Sequence, residues 1–370
     1  MRVAILTSWY PTSKSLLYGI FVQAQAKVLS EFCDVNVLLL EWGIIPKTRM
    51  STDGKLTVYK KSGFYLPNRN ETLLKIWAHQ YYLLFKKNHK RNNYDIIHCH
   101  DHYGAYAGWY INQKMGIPYV VTIHNSSIQS MTLVNWKQSY LPKVLDNASK
   151  VLAVGHKLGE ILEQYFTRKK VTILPNVVDT DVFKPSKNKK QKSPFRFLFI
   201  GDLDENKGVM SLLSAFNKMK SKDTHLRIIG RGPLRNEAEK FIDENRLANR
   251  VLIQDQLPNA ELPAIYNSVP AYISLSKEET FGITILEAMS CGLPVIYTRS
   301  GGPEHVVIEH GCIETSKTDT NQISKSLDQI IADYPQIDKT KIRLHVLDNY
   351  SSQSIINQLL LIYKNSIYEE

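Results

Sequence analysis

Apolar residues follow two different spacings along the chain. Short runs rich in Val, Ile, Leu and Phe alternate with longer segments in which apolar residues recur every three or four positions. The short runs predict buried strands, and the longer segments predict amphipathic helices. The predicted strands are VAILTS (3–8), VNVLLL (35–40), DIIHCH (95–100), PYVVTIH (118–124), KVLAVG (150–155), VTILPN (171–176), RFLFIG (196–201), LRIIG (226–230), VLIQD (251–255), AYISLS (271–276) and PVIYT (294–298).

Helices are predicted between these strands, for example over residues 20–31 and 73–91. The last apolar segment, 351–367, has a broad apolar face and predicts a closing helix. Strands that alternate with helices are typical of a parallel, doubly wound sheet. Because both halves repeat this alternation, the sequence predicts an α/β protein with two Rossmann-like sheets.

The chain length and one basic segment set the predicted domain organisation. A chain of 370 residues is longer than a single hydrophobic core usually supports. The segment KPSKNKKQKSPF (184–195) holds five lysines and no acid, and such a polar, proline-flanked stretch is typical of a connector. The predicted parts are a first domain (1–183), a basic linker (184–194), a second domain (195–350) and a C-terminal helix (351–370).

Positive charge is concentrated in the first domain. The chain has a net charge of +11, and residues 1–183 contribute +10 of it from 22 Lys+Arg and 12 Asp+Glu. Segment 73–91 carries apolar and aromatic residues at helical spacing. Four basic residues follow its aromatic part: Lys86, Lys87, Lys90 and Arg91. Such a helix is typical of proteins that lie on an anionic membrane surface, with the aromatic face inserted, and a core-packed helix with a solvated basic end has the same pattern. Basic and aromatic residues form no nucleic-acid-binding motif, so no nucleic-acid partner is expected.

Three further features bear on the compartment. The N-terminus MRVAILTSWYP begins as a strand, without the basic and then apolar stretch of a secretion signal. No apolar run approaches the roughly 20 residues that cross a bilayer. The four cysteines are scattered and include no Cys-x-x-Cys pair, which favours a reducing environment. We therefore expect a cytoplasmic protein.

The segment ETFGITILE (279–287) is the most informative part of the chain. It predicts a turn after strand 271–276 and a helix that begins near Ile283. The backbone N–H groups of Phe281, Gly282 and Ile283 would then form an anion site at the helix start. Glu287 lies one turn further on, where a carboxylate suits the hydroxyls of a sugar attached to a phosphate. Glu279, in the turn, is placed to hold a second sugar. A capped surface helix with ordinary carboxylates has the same pattern.

These residues resemble the E-x7-E segment of the retaining, nucleotide-sugar-dependent glycosyltransferases of family 4 (glycosyl transferases group 1). The resemblance implies the GT-B fold, in which two Rossmann-like domains face each other and the last helix packs back on the first. It also implies an acceptor-binding first domain and a second domain that binds a UDP- or GDP-sugar. The sugar would pass, with its anomeric configuration retained, to a hydroxyl of a glycan or a polyprenyl-diphosphate-linked acceptor. Such reactions serve polysaccharide synthesis at the inner membrane face, and neither a cofactor nor a metal is expected.

The turn after strand 196–201 extends the resemblance. Gly201 and Lys207 match the family's G-R-L-x-x-x-K-G turn, in which the Lys grips the donor pyrophosphate. Asp202 stands where the family usually has Arg, and this puts the second cation in doubt. Arg231, after the next strand, is the candidate substitute. Removal of Lys207 should weaken stabilisation of the leaving group.

Three positions of the first domain resemble family motifs as well. His124 corresponds to the V-T-x-H histidine that contacts the donor sugar, and it is assigned with Lys207 and Glu279 to the catalytic set. Gly19 lies in a G-I-F-V segment, where glycine lets the backbone approach the donor. Asn176 lies in a segment similar to I-P-N-G-V-D, which precedes the hinge. A structural turn or a buried structural histidine is the alternative at these positions.

Two groups of residues raise the alternative of a metal. Asp202 and Asp204 form an Asp-x-Asp pair, which holds the metal in GT-A-type transferases. Three histidines, His98, His100 and His102, alternate along a predicted strand and share one face. The strand also resembles the family's D-I-V-H-x-H segment, which lines the interdomain cleft without metal. Metal binding, cleft lining and a structural role remain open for the histidines.

Two rival functions remain at this point. One is another GT-B enzyme, either a nucleotide-sugar 2-epimerase or a phosphorylase. The other is a non-catalytic, glycosyltransferase-like partner subunit, which Asp202 in place of Arg would favour.

Overall fold

The protein is described by a computed structural model that covers residues 1–11, 18–42, 47–63, 70–132, 135–186 and 194–368. The chain forms two compact units. The first unit consists of Met1–Val177 and Ser352–Glu370, and the second consists of Val178–Ser351. The division thus falls at Val178, ahead of the boundary predicted at residue 183. Residues 187–193, most of the predicted linker, lie outside the described residues.

The strands run in chain order through both units. Their bounds are β1 (Arg2–Leu6), β2 (Asp34–Trp42), β3 (Lys47–Asp53), β4 (Leu56–Gly63), β5 (Ile96–His100), β6 (Tyr119–Ile123), β7 (Lys150–Ala153), β8 (Val171–Ile173), β9 (Phe195–Ile200), β10 (Thr224–Ile229), β11 (Val251–Gln254), β12 (Ala271–Ser274), β13 (Val295–Thr298) and β14 (Cys312–Thr315).

The helices lie between the strands and close the chain. Their bounds are α1 (Ile20–Leu29), α2 (Glu71–Asn92), α3 (Asp101–Met115), α4 (Ser126–Gln129), α5 (Asn135–Asp146), α6 (His156–Tyr165), α7 (Val209–Lys218), α8 (Arg235–Glu244), α9 (Leu262–Asn267), α10 (Ile283–Ser290), α11 (Pro303–Val306), α12 (Thr320–Asp333), α13 (Lys339–Tyr350) and α14 (Ser352–Tyr368).

The two sheets confirm the predicted α/β class. The first has the order β3-β4-β2-β1-β5-β6-β7-β8, and the second has the order β11-β10-β9-β12-β13-β14. Neighbouring strands are parallel, except that β3 is antiparallel to β4. In the second sheet the strand order reverses between β9 and β12, and open parallel sheets bind ligands at the carboxyl ends of the strands beside such a point. The loops after β9, β10, β12 and β13 therefore meet at one edge.

Every predicted strand is present, and three further strands were not predicted. Strand β3 is exposed along nearly its whole length, so it has no buried residues to produce an apolar pattern. In β4 the buried residues are Leu56 and Val58, and lysines follow them. Strand β14 is a short edge strand that is mostly half-buried. Strands β3 and β14 lie at sheet edges, where little apolar surface is needed, so they leave a weak apolar pattern. Strand β4 lies inside the sheet, but its lysines interrupt the apolar run.

The C-terminal helix is part of the core of the first unit. Ile355, Ile356, Leu359 and Tyr363 of α14 are fully buried in the cluster that also contains β1, β2 and α1 residues. Its apolar face is therefore buried against the first sheet, where the family resemblance placed it. The second unit has its own core between the strands β9, β10 and β12 and the helices α7, α8 and α12.

Helix α2 corrects one expectation. It begins after Asn70, whose side chain accepts a hydrogen bond from the Leu73 N–H at 3.0 Å, and it has the predicted amphipathic pattern. The aromatic face of 73–85 was expected to insert into a membrane, and this is wrong because Trp77, Tyr81 and Phe85 are buried in the first unit. Only Ile76 and Leu83 remain as exposed large apolar residues of the helix.

Two chemical features of the described chain complete the fold. None of its helices is long and apolar enough to cross a membrane. All four cysteines carry free thiols. The packing of both units therefore depends on their cores rather than on covalent links.

Two loops of the second unit touch through their backbones. The Leu203 N–H donates to the Arg231 carbonyl at 3.0 Å, and the Leu234 N–H donates to the Leu203 carbonyl at 2.9 Å. A Cβ atom on Gly230 would collide with the Gly201 carbonyl oxygen. By contrast, a Cβ on Gly201 would make ordinary contacts with the Lys207 side chain at 3.6 Å and the Phe199 side chain at 3.7 Å. Glycine is therefore required by packing at position 230 but not at position 201.

We expect Gly230→Ala to destabilise the second unit by about 1–3 kcal/mol, because the added methyl forces two backbones apart. Gly201→Ala, in the facing loop, should cost less than about 0.5 kcal/mol, as for a tolerated surface change. Urea denaturation of both variants measures the difference. Equal stability of the two variants would contradict the steric argument.

Candidate functional site

Four loops of the second unit meet at the carboxyl edge of its sheet. Asn206, after β9, links two of them: its side chain donates to the Glu278 carbonyl at 3.0 Å and accepts from the Glu278 N–H at 2.9 Å. The Glu279 N–H in turn donates to the Ser300 carbonyl, after β13, at 3.1 Å. The loops after β9, β12 and β13 are thus held in one arrangement. Sequence reasoning did not identify Asn206, because an asparagine in a loop carries no signal of a partner 72 residues away.

Lys207 and Glu279 form an ion pair across the switch point. The Lys207 Nζ lies 2.6 Å from Glu279 Oε2, and the side chains are 27% and 23% exposed, so both remain accessible from solvent. Burial disfavours the ammonium, but the attraction of Glu279 and of two nearby aspartates outweighs this and raises the pKa of Lys207 above its usual value. The ammonium is therefore charged at neutral pH. The structure brings together two of the three residues that were assigned to the catalytic set.

The loop 201–208 presents its backbone and one cation to this edge. Gly208 has a φ of 73° and directly precedes α7, and the Lys207 N–H donates to Asp204 Oδ1 at 2.8 Å. Asp204 therefore has a structural task within the turn. A Cβ at Gly201 would make only ordinary contacts with Lys207 and Phe199, so packing does not explain this glycine, and its donor-binding role stays a prediction.

Asp202 and Arg231 also lie near this turn. The Gln256 side chain donates to Asp202 Oδ1 at 3.3 Å. The structure places Arg231 in the loop that contacts Leu203, with its side chain exposed to solvent. An exposed arginine beside the turn is free to reorient, which keeps it a candidate for the second cation.

The helix start predicted at Ile283 is confirmed. Gly282 has a φ of 96°, and its carbonyl accepts from the N–H groups of Ile285 and Leu286, so α10 begins at Ile283. Phe281 is buried at 3% exposure, and a Cβ on Gly302 would collide with its backbone. The N–H groups at this helix start have no acceptor within the helix, as at the start of any helix, and their role in binding an anion stays a prediction.

Glu287 lies one turn into α10 and is nearly buried, at 8% exposure. The Tyr266 hydroxyl donates to its Oε2 at 2.9 Å. Burial raises the pKa of Glu287 to about 7, and the bond from Tyr266 partly opposes this rise. A carboxylate in such a site gains from any further hydroxyl that donates to it. Tyr266, on the short helix α9, was not identified from the sequence, because no motif marks it.

In the first unit the predicted His124 is paired with a second histidine. His124 Nε2 lies 2.9 Å from His100 Nδ1, and its ring lies 4.5 Å from that of Phe21. His98 bonds to the Tyr363 hydroxyl at 2.6 Å and to Thr122 Oγ1 at 2.7 Å. Burial lowers the pKa of all three histidines below their usual range. They are therefore neutral at pH 7 and act as hydrogen-bonding groups rather than as cations.

Asp101 and His102 form a buried pair directly after strand β5. Asp101 has a φ of 67°, which is strained for a residue with a side chain, and its Oδ1 lies 2.6 Å from His102 Nδ1. Four atoms of this region are buried without a hydrogen-bond partner: Asp101 Oδ2, His102 Nε2, His100 Nε2 and His124 Nδ1. Each costs about 1–3 kcal/mol unless a further group supplies the bond. Buried, unpaired polar atoms at the carboxyl ends of β5 and β6 indicate a place for a polar ligand.

These contacts bear on the metal alternatives. Within the described residues, no group of three or more His, Cys, Asp or Glu side chains has a metal-binding arrangement. Only His98 and His100 lie on β5, and His102 lies in α3, so the prediction that all three alternate along one strand is wrong. The strand ends at His100 because helix α3 begins at Asp101. The ring nitrogens of the three histidines bond to Thr122, Tyr363, His124 and Asp101. The observed contacts thus favour a hydrogen-bonded network for these side chains.

The remaining predicted residues of the first unit lie on separate loops. Gly19 has a φ of 70° and directly precedes α1, and a Cβ there would collide with the Trp9 carbonyl. Packing alone therefore explains this glycine. Asn176 follows β8 and is 8% exposed. No contact shown by the structure assigns either residue to a ligand, so their donor-binding roles stay predictions.

Two family models match nearly consecutive parts of the chain. The Glycosyltransferase Family 4 model matches residues 21–182, and the model of Glycosyl transferases group 1 matches residues 179–344. The first match lies mostly in the first unit and the second in the second unit.

One protein of similar sequence and two solved structures of similar fold were also found. The GPI3 subunit of the phosphatidylinositol N-acetylglucosaminyltransferase of Saccharomyces cerevisiae is 25% identical over 291 residues, which are 74% of this chain and 64% of that protein. The chain thus spans under two thirds of that relative. The solved sucrose-phosphate synthase of Thermosynechococcus elongatus superposes with a TM-score of 0.82 at 19% identity, covering 98% of both chains. The Anabaena Alr3699/HepE structure in complex with UDP-glucose superposes with a TM-score of 0.75 at 16% identity, covering 99% of this chain and 100% of that chain.

The two models together thus match both units, and the solved structures show the same fold. The chain belongs to the family 4, group 1 glycosyltransferases and has the GT-B fold.

Proposed function

We propose that the protein transfers a sugar from a nucleoside-diphosphate sugar to a hydroxyl of a glycan or polyprenyl-diphosphate-linked acceptor. The observation that carries the proposal is the accessible Lys207–Glu279 pair at 2.6 Å, next to the start of α10 and the nearly buried Glu287. A cation beside free N–H groups suits a diphosphate, and a carboxylate one turn away suits a sugar hydroxyl. The UDP-glucose bound in the Anabaena structure supports a donor of this class.

In the proposed complex the pyrophosphate replaces Glu279 as the ionic partner of the Lys207 ammonium. Lys207, the N–H groups around Gly282 and, as second cation, Arg231 stabilise the negative charge that grows on the leaving diphosphate. Glu287 accepts hydrogen bonds from the nucleoside ribose. Glu279, released from its ion pair, accepts hydrogen bonds from the transferred sugar.

The reaction is proposed to retain the anomeric configuration. The bond between the anomeric carbon and the phosphate oxygen breaks, and the acceptor oxygen forms its bond on the same face. The departing phosphate takes the acceptor proton, so no protein base is needed. The sugar carries positive charge in the transition state, which neutral histidines tolerate because they add no like charge. His124 then orients an outer hydroxyl of the sugar.

We further propose that no metal takes part and that the protein works at the cytoplasmic face of the membrane. The exposed residues Lys86, Lys87, Lys90 and Arg91 of α2 line one shallow groove together with Leu83. Their charge suits anionic lipid headgroups, and a lipid-linked acceptor would be delivered there.

Two other functions are separable by experiment. A nucleotide-sugar 2-epimerase would release the epimerised sugar without an acceptor, and a phosphorylase would depend on phosphate. A non-catalytic partner subunit is favoured by Asp202 in place of the usual Arg, and the Saccharomyces relative is itself named as one subunit of a transferase. A thermal-shift screen of UDP-, GDP- and ADP-sugars identifies the donor, and product analysis with candidate acceptors then distinguishes the reactions. Donor binding without turnover would favour the partner-subunit role.

Glu287→Ala should raise the donor dissociation constant roughly tenfold or more, since a charge-assisted bond worth about 1.5–3 kcal/mol is lost. Because the pKa of Glu287 is about 7, wild-type affinity should fall as the pH drops below that value and the carboxylate is protonated. Glu287→Gln should abolish this part of the pH dependence. Calorimetric titration with the donor found in the screen measures both effects.

Glu261→Ala is the matched control, since it removes an exposed carboxylate of the same unit. Its donor affinity should equal that of the wild type. An unchanged affinity of Glu287→Ala would overturn the ribose assignment.

Activity should survive exhaustive EDTA treatment, because a lysine and backbone dipoles neutralise the pyrophosphate. Initial rates before and after chelation, with the excess EDTA removed by dialysis, give the comparison. Loss of activity that manganese or magnesium restores would instead establish a metal-dependent reaction.

Replacement of Lys86, Lys87, Lys90 and Arg91 by Gln should release the protein from anionic liposomes and leave donor binding intact. Each basic residue contributes about 1 kcal/mol near such a surface, and salt screens the attraction. Since Trp77, Tyr81 and Phe85 of α2 are buried and cannot insert, binding should vanish almost completely at high salt. Liposome sedimentation at low and high salt measures the partition.

A matched control removes four exposed lysines of the second unit, Lys220, Lys222, Lys240 and Lys325. This variant has the same net charge as the first. If both variants leave the liposomes equally, or if neither does, α2 is not a membrane-binding surface.

A further inference from the structure

A second cationic cavity lies at the opposite edge of the second sheet. Its volume is about 360 Å³, which is within the range of small-ligand pockets. It is lined by Arg196, His225, Leu226, Arg227, Ala248, Asn249, Arg250, Val251, Leu252, Ser268 and Val269. Arg196 is near the start of β9, where it is paired in register with His225 of β10. Residues 248–250 precede β11, and Ser268 and Val269 precede β12.

This position separates the cavity from the proposed donor site. The strands are parallel, so their amino ends lie at the edge away from Lys207 and Glu279. The length of β9 alone puts roughly 15 Å between Arg196 and the loop that begins at Gly201. A ligand in the cavity is therefore not the donor pyrophosphate.

The arginines of this cavity have no acidic partner. No Asp or Glu is among its described lining residues, and no ion pair of the described chain includes Arg196, Arg227 or Arg250. Arg227 donates to the neutral Gln254 side chain at 2.6 Å, and Arg250 donates to Thr224 Oγ1 at 2.6 Å.

Other arginines of the same unit do find carboxylates. Arg235 lies 2.9 Å from a Glu239 oxygen, and Arg299 lies 2.9 Å from a Glu314 oxygen. Burial lowers the pKa of Arg227 and Arg250 from the usual value, and no neighbouring acid offsets it. The guanidinium groups stay charged, so the cavity holds a concentration of positive charge that an anion would balance.

Apolar side chains form part of the cavity wall. Leu252 is 54% exposed on β11, and Val269 lies just ahead of β12. The space is larger than a phosphate ion occupies, and it combines a charged end with an apolar wall. Asn249 is exposed at the rim and can bond to hydroxyls.

We propose that this cavity binds a small organic phosphate. The phosphate lies against Arg196 and Arg227, which can each give two parallel hydrogen bonds, and the less polar body lies on Leu252. The site is independent of the proposed transfer reaction, since it uses none of the residues assigned to that reaction.

The test is calorimetric titration of the full chain with ribose 5-phosphate at low salt, and with inorganic phosphate in parallel. The wild type should bind one ribose 5-phosphate at this site, more tightly than phosphate alone. Arg196→Gln/Arg227→Gln should weaken that binding at least tenfold. Lys240→Gln/Lys325→Gln removes two exposed positive charges of the same unit outside the cavity and should bind like the wild type.

A second variant keeps the test decisive if the double arginine variant does not fold. Leu252→Asp places a negative charge on the exposed wall and leaves all arginines in place, so binding should be lost while the thermal midpoint changes little. The proposal is overturned if ribose 5-phosphate does not bind at millimolar concentration, or if the arginine and lysine variants lose affinity equally. It is also overturned if only a long polyanion such as an RNA oligonucleotide depends on Arg196 and Arg227.

Discussion

The ion pair between Lys207 and Glu279 joins the two strands at which the second sheet reverses its order. Lys207 follows β9 and Glu279 follows β12, and these strands are direct neighbours in the sheet. The parallel topology thus determines that a cation and a carboxylate from distant parts of the chain face each other at the carboxyl edge. The short loops must then hold this geometry, which is achieved by Asn206 and by the backbone contacts around Gly230. An exposed lysine on a mobile side chain would present its charge far less reproducibly.

Two electrostatic effects act in opposite directions on negative charge in α10. The start of α10 favours negative charge, but Glu287 is one turn further in and is nearly removed from water. Its raised pKa is the measure of that cost, and the Tyr266 hydroxyl offsets only part of it. A carboxylate that is costly to bury and incompletely compensated is expected where a ligand provides the missing hydrogen bonds.

The sequence predicted most of the helices and strands but few of the contacts between distant residues. The start of α10 could be predicted because Gly282, the apolar run and the Gly292-Leu293-Pro294 end are local signals. The pairing of His98 with Tyr363 could not, since 265 residues separate them and only the packing of α14 brings them together. Helix α2 illustrates a different limit: its apolar spacing is the same whether the face meets a core or a membrane, and only the fold shows that Trp77, Tyr81 and Phe85 meet a core. Strand β3 was missed because its residues are exposed and carry no apolar alternation.

The two units differ in the charge state of their candidate site residues. In the first unit burial keeps His98, His100 and His124 neutral, so this network can orient hydroxyls but cannot balance a diphosphate. In the second unit Lys207 stays charged because an acid lies beside it. In the proposed reaction, Lys207 of the second unit is therefore the cation suited to the leaving diphosphate, and the neutral histidines of the first unit suit uncharged sugar hydroxyls. An exchange of these properties would oppose the proposed reaction: cationic histidines would repel a sugar that gains positive charge, and a neutral lysine would give no charge attraction to phosphate.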